Sequence, residues 1–227
     1  MPLLISLDVW NTLITFNREI RAPRTALLAR LLGVSPEQAD AAYQHFKKTA
    51  DLQAEAGICW SQEVLYRSLI ERVESSSGVE WEDLRDAVQE NFRKFPPYIH
   101  SELVTVLARL HERGHEFAIA SNNNFISGAT IHACVLAHLE TNFTFRFQLY
   151  SSEAGCAKPG SEFLRQFGSR CEAIGVPWQD VVHVGDNPVC DDFSPRDVDG
   201  TVQSFVRESL LVNDPAHCLD VLKARFL

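Results

Sequence analysis

Four short apolar segments of this sequence each lead into polar side chains that could take part in catalysis: Asp8, Ser121, Lys158, and the pair Asp186 and Asp191. A carboxylate can attack phosphorus or carbon to form a covalent intermediate that water then cleaves. Attack on a phosphate dianion requires its charge to be offset, and Mg²⁺ held by Asp8 and Asp186 would do this through hard oxygen ligands. These residue types therefore predict covalent hydrolysis, if the fold brings them together.

Trp10 stands two residues after Asp8, where a second carboxylate could serve as a general acid and base. A positioned acid–base group contributes roughly 10²–10⁴-fold to a rate. An indole offers only an N–H donor and cannot shuttle a proton. The sequence is therefore compatible with a slow hydrolase, one that uses good leaving groups, one that recruits an acid from elsewhere in the chain, or a different reaction.

The elements that must position these residues alternate between strands and helices. Apolar or β-branched segments followed by turn residues predict strands at 3–7, 116–120, 145–150, 181–184 and 201–206. Helical patterns lie between most of them, at 102–113, 126–139 and 162–174. This alternation predicts an α/β fold with a three-layer, Rossmann-like parallel sheet. Ligands bind such sheets at the carboxyl ends of the strands, which is where the polar residues fall.

Residues 16–98 depart from the alternation, because they read as four helical runs without a strand: 23–32, 36–56, 62–75 and 81–95. Ser35 and Ser61 precede two of these runs and are typical N-cap residues. A helical stretch of this length is too long for a simple crossover between strands. We therefore predict an α/β core formed by residues 1–15 and 99–227, with a helical cap domain at 16–98 inserted after the first strand.

Composition restricts the class of protein and its partners. The 227 residues are 45% hydrophobic and 22% charged, as in ordinary globular proteins. A net charge of −9 argues against a nucleic-acid partner, which needs a basic face. We find neither a signal peptide nor an apolar run long enough for a bilayer, and the six cysteines form no C-x-x-C pair. The expectation is a cytoplasmic protein with free thiols, no membrane partner and a small anionic substrate.

The four motifs, in this order and each after a predicted strand, resemble those of the haloacid dehalogenase-like superfamily, and residues 16–98 match the position of its helical C1-type cap. The resemblance implies Mg²⁺ as cofactor, with Asp8 as covalent nucleophile. It implies that the Trp10 backbone carbonyl and Asp186 bind the metal and that Asp191 binds or orients its shell. Ser121, with Asn122 beside it, would hold the phosphoryl group, and Lys158 would pair with Asp8 and the transferring group. Thr12 would steady the turn around Asp8 and take part in binding the substrate.

The sequence leaves several functions open. A phosphatase of a small phosphorylated metabolite is favoured, because the family's 2-haloacid dehalogenases lack the paired acids that this chain has as Asp186 and Asp191. Those dehalogenases do resemble this chain in having an aromatic residue at the Trp10 position. A dehalogenase remains the main alternative, since halide leaves without protonation. Phosphonate cleavage through a cap lysine would need Lys47, Lys48 or Lys94. A binding or regulatory protein that lost its acid is the non-enzymatic possibility.

Substrate choice would rest with the helical insert and the segment that leads into it. Arg18 and Arg21, with Arg24, could bind an anionic tail of the substrate in a bidentate manner. The sequence predicts neither the substrate itself nor the oligomeric state.

Overall fold

The computed structural model describes residues 2–75, 77–139, 143–194, 196–198 and 201–227. The strands within these ranges are β1 (Leu4–Leu7), β2 (Ile14–Thr15), β3 (Tyr98–Ile99), β4 (Glu116–Ser121), β5 (Phe145–Tyr150), β6 (Val181–Gly185), β7 (Arg196–Val198), β8 (Thr201–Gln203) and β9 (Glu208–Leu211). The α-helices are α1 (Arg21–Leu32), α2 (Pro36–Glu55), α3 (Gln62–Arg72), α4 (Trp81–Lys94), α5 (Ser101–Glu112), α6 (Gly128–Leu136), α7 (Ser151–Ala154), α8 (Ser161–Ala173) and α9 (Pro215–Phe226).

Five of the strands form one sheet in the order β5-β4-β1-β6-β9. Every neighbouring pair in it is parallel. The first strand lies at the centre, where Leu4 is in register with Glu116 on one side and Val181 on the other. The predicted α/β fold with a Rossmann-like parallel sheet is therefore confirmed.

Side chains alternate between the two faces of this sheet, and each face is covered by helices. Ile5 and Leu7 of β1 belong to a buried cluster that also includes apolar residues of α5, α6 and α9. Leu4 belongs to the opposite cluster, together with Phe163 and Phe167 of α8. The sheet is thus the middle of three layers, as β-strands buried on both faces require.

The last strand of the sheet is not the one that the sequence predicts. Residues 201–206 were expected to form it, but β8 pairs antiparallel with β7 in a separate two-stranded sheet. The edge position next to β6 is taken instead by β9, where Val182 is in register with Glu208. The prediction was wrong because it followed the β-branched and aromatic residues at 201–206, whereas the half-buried edge strand carries Glu208 and Ser209.

Four helices, α1 to α4, occupy the stretch between β2 and β3, and we call residues 16–98 the helical segment. Ser35 forms a capping box with Gln38 at the start of α2. Ser61 caps α3 by accepting a hydrogen bond from the Val64 N–H. The two ends of the segment run antiparallel, since β2 pairs with β3. The chain therefore leaves and rejoins the α/β part at one place.

The loop after β4 holds the helical segment at a second place through Phe125, which is fully buried. The Phe125 carbonyl oxygen accepts hydrogen bonds from Gln62 (3.1 Å), Tyr66 (2.8 Å) and Gln89 (2.7 Å). Its ring stacks on Tyr43, with centroids 4.5 Å apart. An aromatic side chain from the sheet side is therefore inserted among α2, α3 and α4.

The helical segment contacts the α/β part at a third place, just after the end of α2. The Gly57 carbonyl accepts a hydrogen bond from the Ala157 N–H (3.2 Å), and a Cβ at Gly57 would come within 2.8 Å of the Gly160 Cα. Such a close approach of two backbones requires glycine.

No helix among the described residues is long and apolar enough to cross a bilayer.

Candidate active site

Three carboxylates lie close together at the carboxyl edge of the sheet. Asp8 directly follows β1, and its backbone N–H donates to the carbonyl of Val184 in β6 at 2.8 Å. Asp186 directly follows β6, and Asp191 lies five residues further along the chain. One carboxylate oxygen from each of the three aspartates lies within 4.8 Å of the other two. Parallel strands thus bring together residues that are far apart in sequence.

Lys158 lies among these carboxylates and is almost fully buried, with 1% of its side chain exposed. Its ammonium group donates to Asp8 Oδ1 at 2.7 Å and to Asp191 Oδ1 at 2.5 Å. The third donor reaches the carbonyl oxygen of Ala120 at 2.8 Å. All three N–H bonds of the lysine are therefore used, as a buried ammonium requires.

Both carboxylate oxygens of Asp191 have hydrogen-bond partners. Besides Lys158, its Oδ1 lies 3.0 Å from His183 Nε2, and its Oδ2 accepts from the backbone N–H of Asn187 at 2.9 Å. His183 Nδ1 lies 3.0 Å from Ser6 Oγ, and the ring stacks on Phe193. Burial lowers the pKa of His183. A neutral imidazole then donates from Nε2 to Asp191 and accepts at Nδ1 from the serine hydroxyl.

The environments of the aspartates move their pKa values in different directions. Burial raises the pKa of Asp8 to about 7, although Lys158 opposes the shift and Asp191 adds to it. Burial also raises the pKa of Asp186. Burial acts in the same sense on Asp191, but Lys158 and His183 outweigh it and hold its pKa well below the ordinary value. Burial alone would lower the pKa of Lys158, but the charges of Asp191 and Asp8 outweigh it and raise this pKa. The site concentrates negative charge that Lys158 only partly offsets.

Two backbone features shape the turn that carries these groups. A Cβ at Gly185 would lie 2.1 Å from Asp191 Cγ, so only glycine leaves room for that carboxylate. Asn11 adopts a left-handed conformation (φ 54°), and its side-chain amide donates to Asp186 Oδ2 at 3.0 Å. Asparagine tolerates this backbone better than most residues. The turn after β1 is thereby tied to the turn after β6.

The predicted phosphoryl-binding residues lie beside this cluster but differ in access. Asn122 bonds to both backbone groups of Lys158, donating to its carbonyl and accepting from its N–H, each at 2.9 Å. Ser121 is fully buried, and within the described ranges its hydroxyl makes only a long contact of 3.4 Å with the Asn122 carbonyl. Thr12 is also fully buried, and its hydroxyl has no hydrogen-bond partner among the described residues. Asn122 therefore positions the lysine, and the roles predicted for Ser121 and Thr12 remain predictions.

A cavity of about 1030 Å³ opens between this edge of the sheet and the helical segment. Nine of the site residues predicted from the sequence line it: Asp8, Trp10, Arg18, Arg21, Arg24, Asn122, Lys158, Asp186 and Asp191. Ser121 and Thr12 are not among its lining residues. A volume of this size suits a small organic ligand.

Trp10 lines the cavity and packs edge-on against Phe92 of α4, with ring centroids 6.1 Å apart. The helical segment thus fixes the indole beside Asp8. Apart from the three clustered aspartates, the acidic side chains that line the cavity in the described part of the chain are Asp51 and Glu55 of α2. Asp51 is paired with Lys47 (2.7 Å), whereas Glu55 lies 3.5 Å from the Asn187 amide nitrogen.

Sequence reasoning missed the residues beneath the carboxylates, His183 and Ser6. Each is a polar residue that interrupts an otherwise apolar strand, and the two strands pair so that Ser6 is in register with His183. A polar residue inside an apolar strand was therefore the sequence signal that could have identified His183 and Ser6. It becomes informative only when the strands are known to be neighbours.

The sequence profile of the haloacid dehalogenase-like hydrolases matches residues 3–192. The chain belongs to this family. The match spans β1 with Asp8, the whole helical segment, and the motifs up to Asp191. No curated protein matches the chain.

Solved structures that resemble this haloacid dehalogenase-like hydrolase include enzymes of more than one kind. A 2-haloacid dehalogenase from Pseudomonas syringae is 18% identical, with 100% of both chains covered and a TM-score of 0.55. A protein assigned as a β-phosphoglucomutase from Thermotoga maritima is 12% identical, with 99% of this chain and 100% of that chain covered and a TM-score of 0.59. The Bacteroides thetaiotaomicron enzyme BT-2542, in complex with magnesium and inorganic phosphate, is 15% identical, with 84% and 88% covered and a TM-score of 0.51. At these identities the likeness establishes the fold alone.

Proposed function

We propose that this hydrolase is a Mg²⁺-dependent phosphatase of a small phosphorylated metabolite, with Asp8 as its covalent nucleophile. The observation that carries the proposal is the cluster of Asp8, Asp186 and Asp191 around one lysine. Three carboxylates against one ammonium leave a formal charge of −2, which calls for a further cation. The helical segment would act as the cap over this site.

The donor chemistry of the site fits Mg²⁺, which prefers hard oxygen ligands. Both Asp191 oxygens are occupied by Lys158, His183 and Asn187. Among the described residues, by contrast, one oxygen of Asp8 and one of Asp186 accept no hydrogen bond. Asp8 and Asp186 would therefore hold the ion directly, and Asp191 would orient its surroundings. When bound, the ion would offset the charge of the phosphoryl oxygens.

Asp186 also favours phosphoryl transfer over halide displacement. A 2-haloacid carries a carboxylate next to its reacting carbon, and an uncompensated Asp186 beside Asp8 would repel it. A phosphate dianion bridged by a cation would instead be attracted to the same pair. We therefore rank the dehalogenase second, although Trp10 and the similarity in fold to a 2-haloacid dehalogenase favour it.

In the proposed reaction an oxygen of Asp8 attacks phosphorus, and the bond to the leaving group breaks with its electron pair. This forms an aspartyl phosphate, and the leaving group departs as an anion that takes up a proton from solvent. Water then attacks the same phosphorus and gives up a proton to solvent, and the bond to Asp8 breaks to regenerate the carboxylate and release inorganic phosphate. Lys158 holds Asp8 in place throughout, since its ammonium group is fixed by Asp191 and the Ala120 carbonyl.

Trp10 restricts which esters should react well. It places an indole, which cannot protonate a departing alkoxide, two residues after Asp8, so esters whose leaving groups are stable as anions should react fastest. Aryl and acyl phosphates meet this condition, whereas simple alkyl phosphates do not.

The test is hydrolysis of p-nitrophenyl phosphate, whose leaving group barely needs an acid, with and without Mg²⁺. We expect turnover that depends on Mg²⁺ and disappears in Asp8→Asn. The variant Asp186→Asn should raise the Mg²⁺ concentration needed for half-maximal turnover. Asp180→Asn, at a half-buried position before β6 that does not line the cavity, should not. Absence of turnover above the Asp8→Asn blank would refute the phosphatase. Release of chloride from 2-chloropropionate without Mg²⁺ would then support the dehalogenase.

A further inference from the structure

The helical segment supplies a basic end to the cavity. Arg18 lies in a short 3₁₀ turn (Arg18–Ile20), and Arg21 and Arg24 lie in the first turn of α1. All three arginines line the same cavity as Asp8 and Asp186. The cavity therefore has cationic residues on the helical segment as well as the carboxylate cluster at the edge of the sheet.

Arg24 is unusual among these arginines because it is buried, with only 6% of its side chain exposed. Its guanidinium carbon lies 4.0 Å from the centroid of the Tyr43 ring, a cation–π arrangement that fixes the plane of the group. Its Nε is buried and has no hydrogen-bond partner among the described residues. A buried charged donor without an acceptor is costly, and native structures rarely leave one unexplained.

Asp40 neutralises only part of this charge. Its Oδ2 accepts from Arg21 at 2.8 Å, and its Oδ1 lies 3.4 Å from Arg24 Nη2. The same Oδ1 also accepts from Thr25 and Gln44, both at 3.3 Å. One carboxylate thus serves two guanidinium groups and two neutral donors, which leaves this end of the cavity with a positive charge.

Arg18 adds to that charge. It is exposed, and it forms no ion pair within the described ranges. The rest of the lining is mixed, with apolar side chains such as Ile20, Val88 and Phe92 and side-chain amides such as those of Gln44 and Asn91. The apolar groups can pack against carbon chains, and the amides can hydrogen-bond to hydroxyl groups.

We infer that Arg18, Arg21 and Arg24 form a second anion-binding subsite, and that the substrate is a phosphate monoester whose carbon skeleton carries another anionic group. The inference rests on the proposed function for the end of the substrate that reacts at Asp8. The second group is an oxyanion, either a carboxylate or a second phosphate, because guanidinium groups bind both in the same planar way.

The experiment measures binding by calorimetry with Mg²⁺ present, so that it does not depend on turnover. The probes are alkylphosphonates, ω-phosphonocarboxylates and α,ω-bisphosphonates, compared at equal chain length over a series of lengths. At the length that spans the cavity, a second anionic group should tighten binding by about tenfold to about a hundredfold. A gain with the carboxylate series identifies a carboxylate site, and a gain with the bisphosphonates alone identifies a phosphate site.

The arginine variants assign the gain to this subsite. In Arg24→Met, doubly anionic probes should bind no more tightly than singly anionic probes of the same length. Because Arg24 is buried, the exposed variants Arg18→Gln and Arg21→Gln provide the same test if Arg24→Met fails to fold, and each should reduce the gain. Arg30→Gln, an exposed arginine of α1 that does not line the cavity, should keep it in full.

Two results would overturn the inference, and they differ from failure of the proposed function. Equal affinity of the wild-type protein for singly and doubly anionic probes at every length would exclude the subsite. A gain that persists in the Arg18, Arg21 and Arg24 variants would place the second anion elsewhere. If no phosphonate bound at all with Mg²⁺ present, the phosphoryl end itself would be wrong, and the inference would fall with it.

Discussion

Replacing Lys158 by Met tests whether the lysine neutralises the carboxylate cluster. The substitution keeps the length of the side chain but removes the ammonium group that contacts Asp8, Asp191 and the Ala120 carbonyl. Breaking a buried ion pair by removing one partner costs about 3–5 kcal/mol, because a buried charge is left uncompensated. We expect a loss of this size in the free energy of unfolding at neutral pH.

The loss should depend on pH and on Mg²⁺. Lys158 holds the pKa of Asp191 below its ordinary value, so this stabilisation is present at neutral pH and is lost as the pH falls through the folded-state pKa. The difference between wild type and variant should therefore shrink in acid. The variant also raises the formal charge of the cluster from −2 to −3, so Mg²⁺ should bind it more tightly and stabilise it more than the wild type.

The assay is urea unfolding at several pH values, with and without Mg²⁺. Lys47→Met is the matched control, since Lys47 is 46% exposed and, among the residues that the structure describes, forms only a helical pair with Asp51, worth about 0.3–0.5 kcal/mol. A loss below about 1 kcal/mol in Lys158→Met would refute the view that the cluster depends on its lysine. Equal stabilisation of both proteins by Mg²⁺ would refute the proposed metal position.

Three further predictions concern the same site. Gly185→Ala should lower Mg²⁺-dependent turnover by roughly 10²-fold, because the new Cβ would displace Asp191. Turnover near the wild-type value in the folded variant would show that the Asp191 carboxylate need not be in this position. Mg²⁺ affinity should rise as the pH increases towards and beyond about 7, since a proton on Asp8 competes with the ion. Calorimetry in buffers of different ionisation enthalpy should detect the proton that is released when Mg²⁺ binds. An affinity that does not change with pH would contradict this competition. Trp10→Asp should raise the ratio of alkyl to p-nitrophenyl phosphate turnover by roughly 10²-fold, as an added general acid would; an unchanged ratio in steady-state kinetics would show that the indole does not occupy the place of the acid.

Much of the architecture could be predicted because local and global signals agree. The first strand is a short apolar run followed by Asp8, β4 is an apolar run that ends at Ser121, and β6 is one followed by Asp186. Once the strands are taken as parallel, their polar ends must meet at one edge, which places Asp8 near Asp186. The last strand could not be found in this way, because an edge strand is buried on fewer sides and needs no continuous apolar run.

The rest of the site depends on tertiary contacts that no local pattern encodes. Arg24 differs from Arg18 and Arg21 only in burial and in its position over Tyr43, and both follow from how α1 packs on α2. His183 acquires its role from the register of two strands that are separated by more than 170 residues. Residue type and spacing therefore indicate which chemistry is available, whereas packing decides which residues are free to perform it.

The insertion of Phe125 among the helices has a consequence for how substrates enter. Swinging the helical segment away from the sheet would withdraw this ring from Tyr43 and break the three hydrogen bonds that end on the Phe125 carbonyl. Burial of one phenylalanine side chain alone contributes about 1.5–3 kcal/mol. Rigid-body separation is thus penalised, and the loop after β4 should travel with the helices whenever they move. Ligand exchange would then proceed through rearrangement of exposed side chains at the cavity mouth, and crystals soaked with substrate analogues should bind them without loss of order.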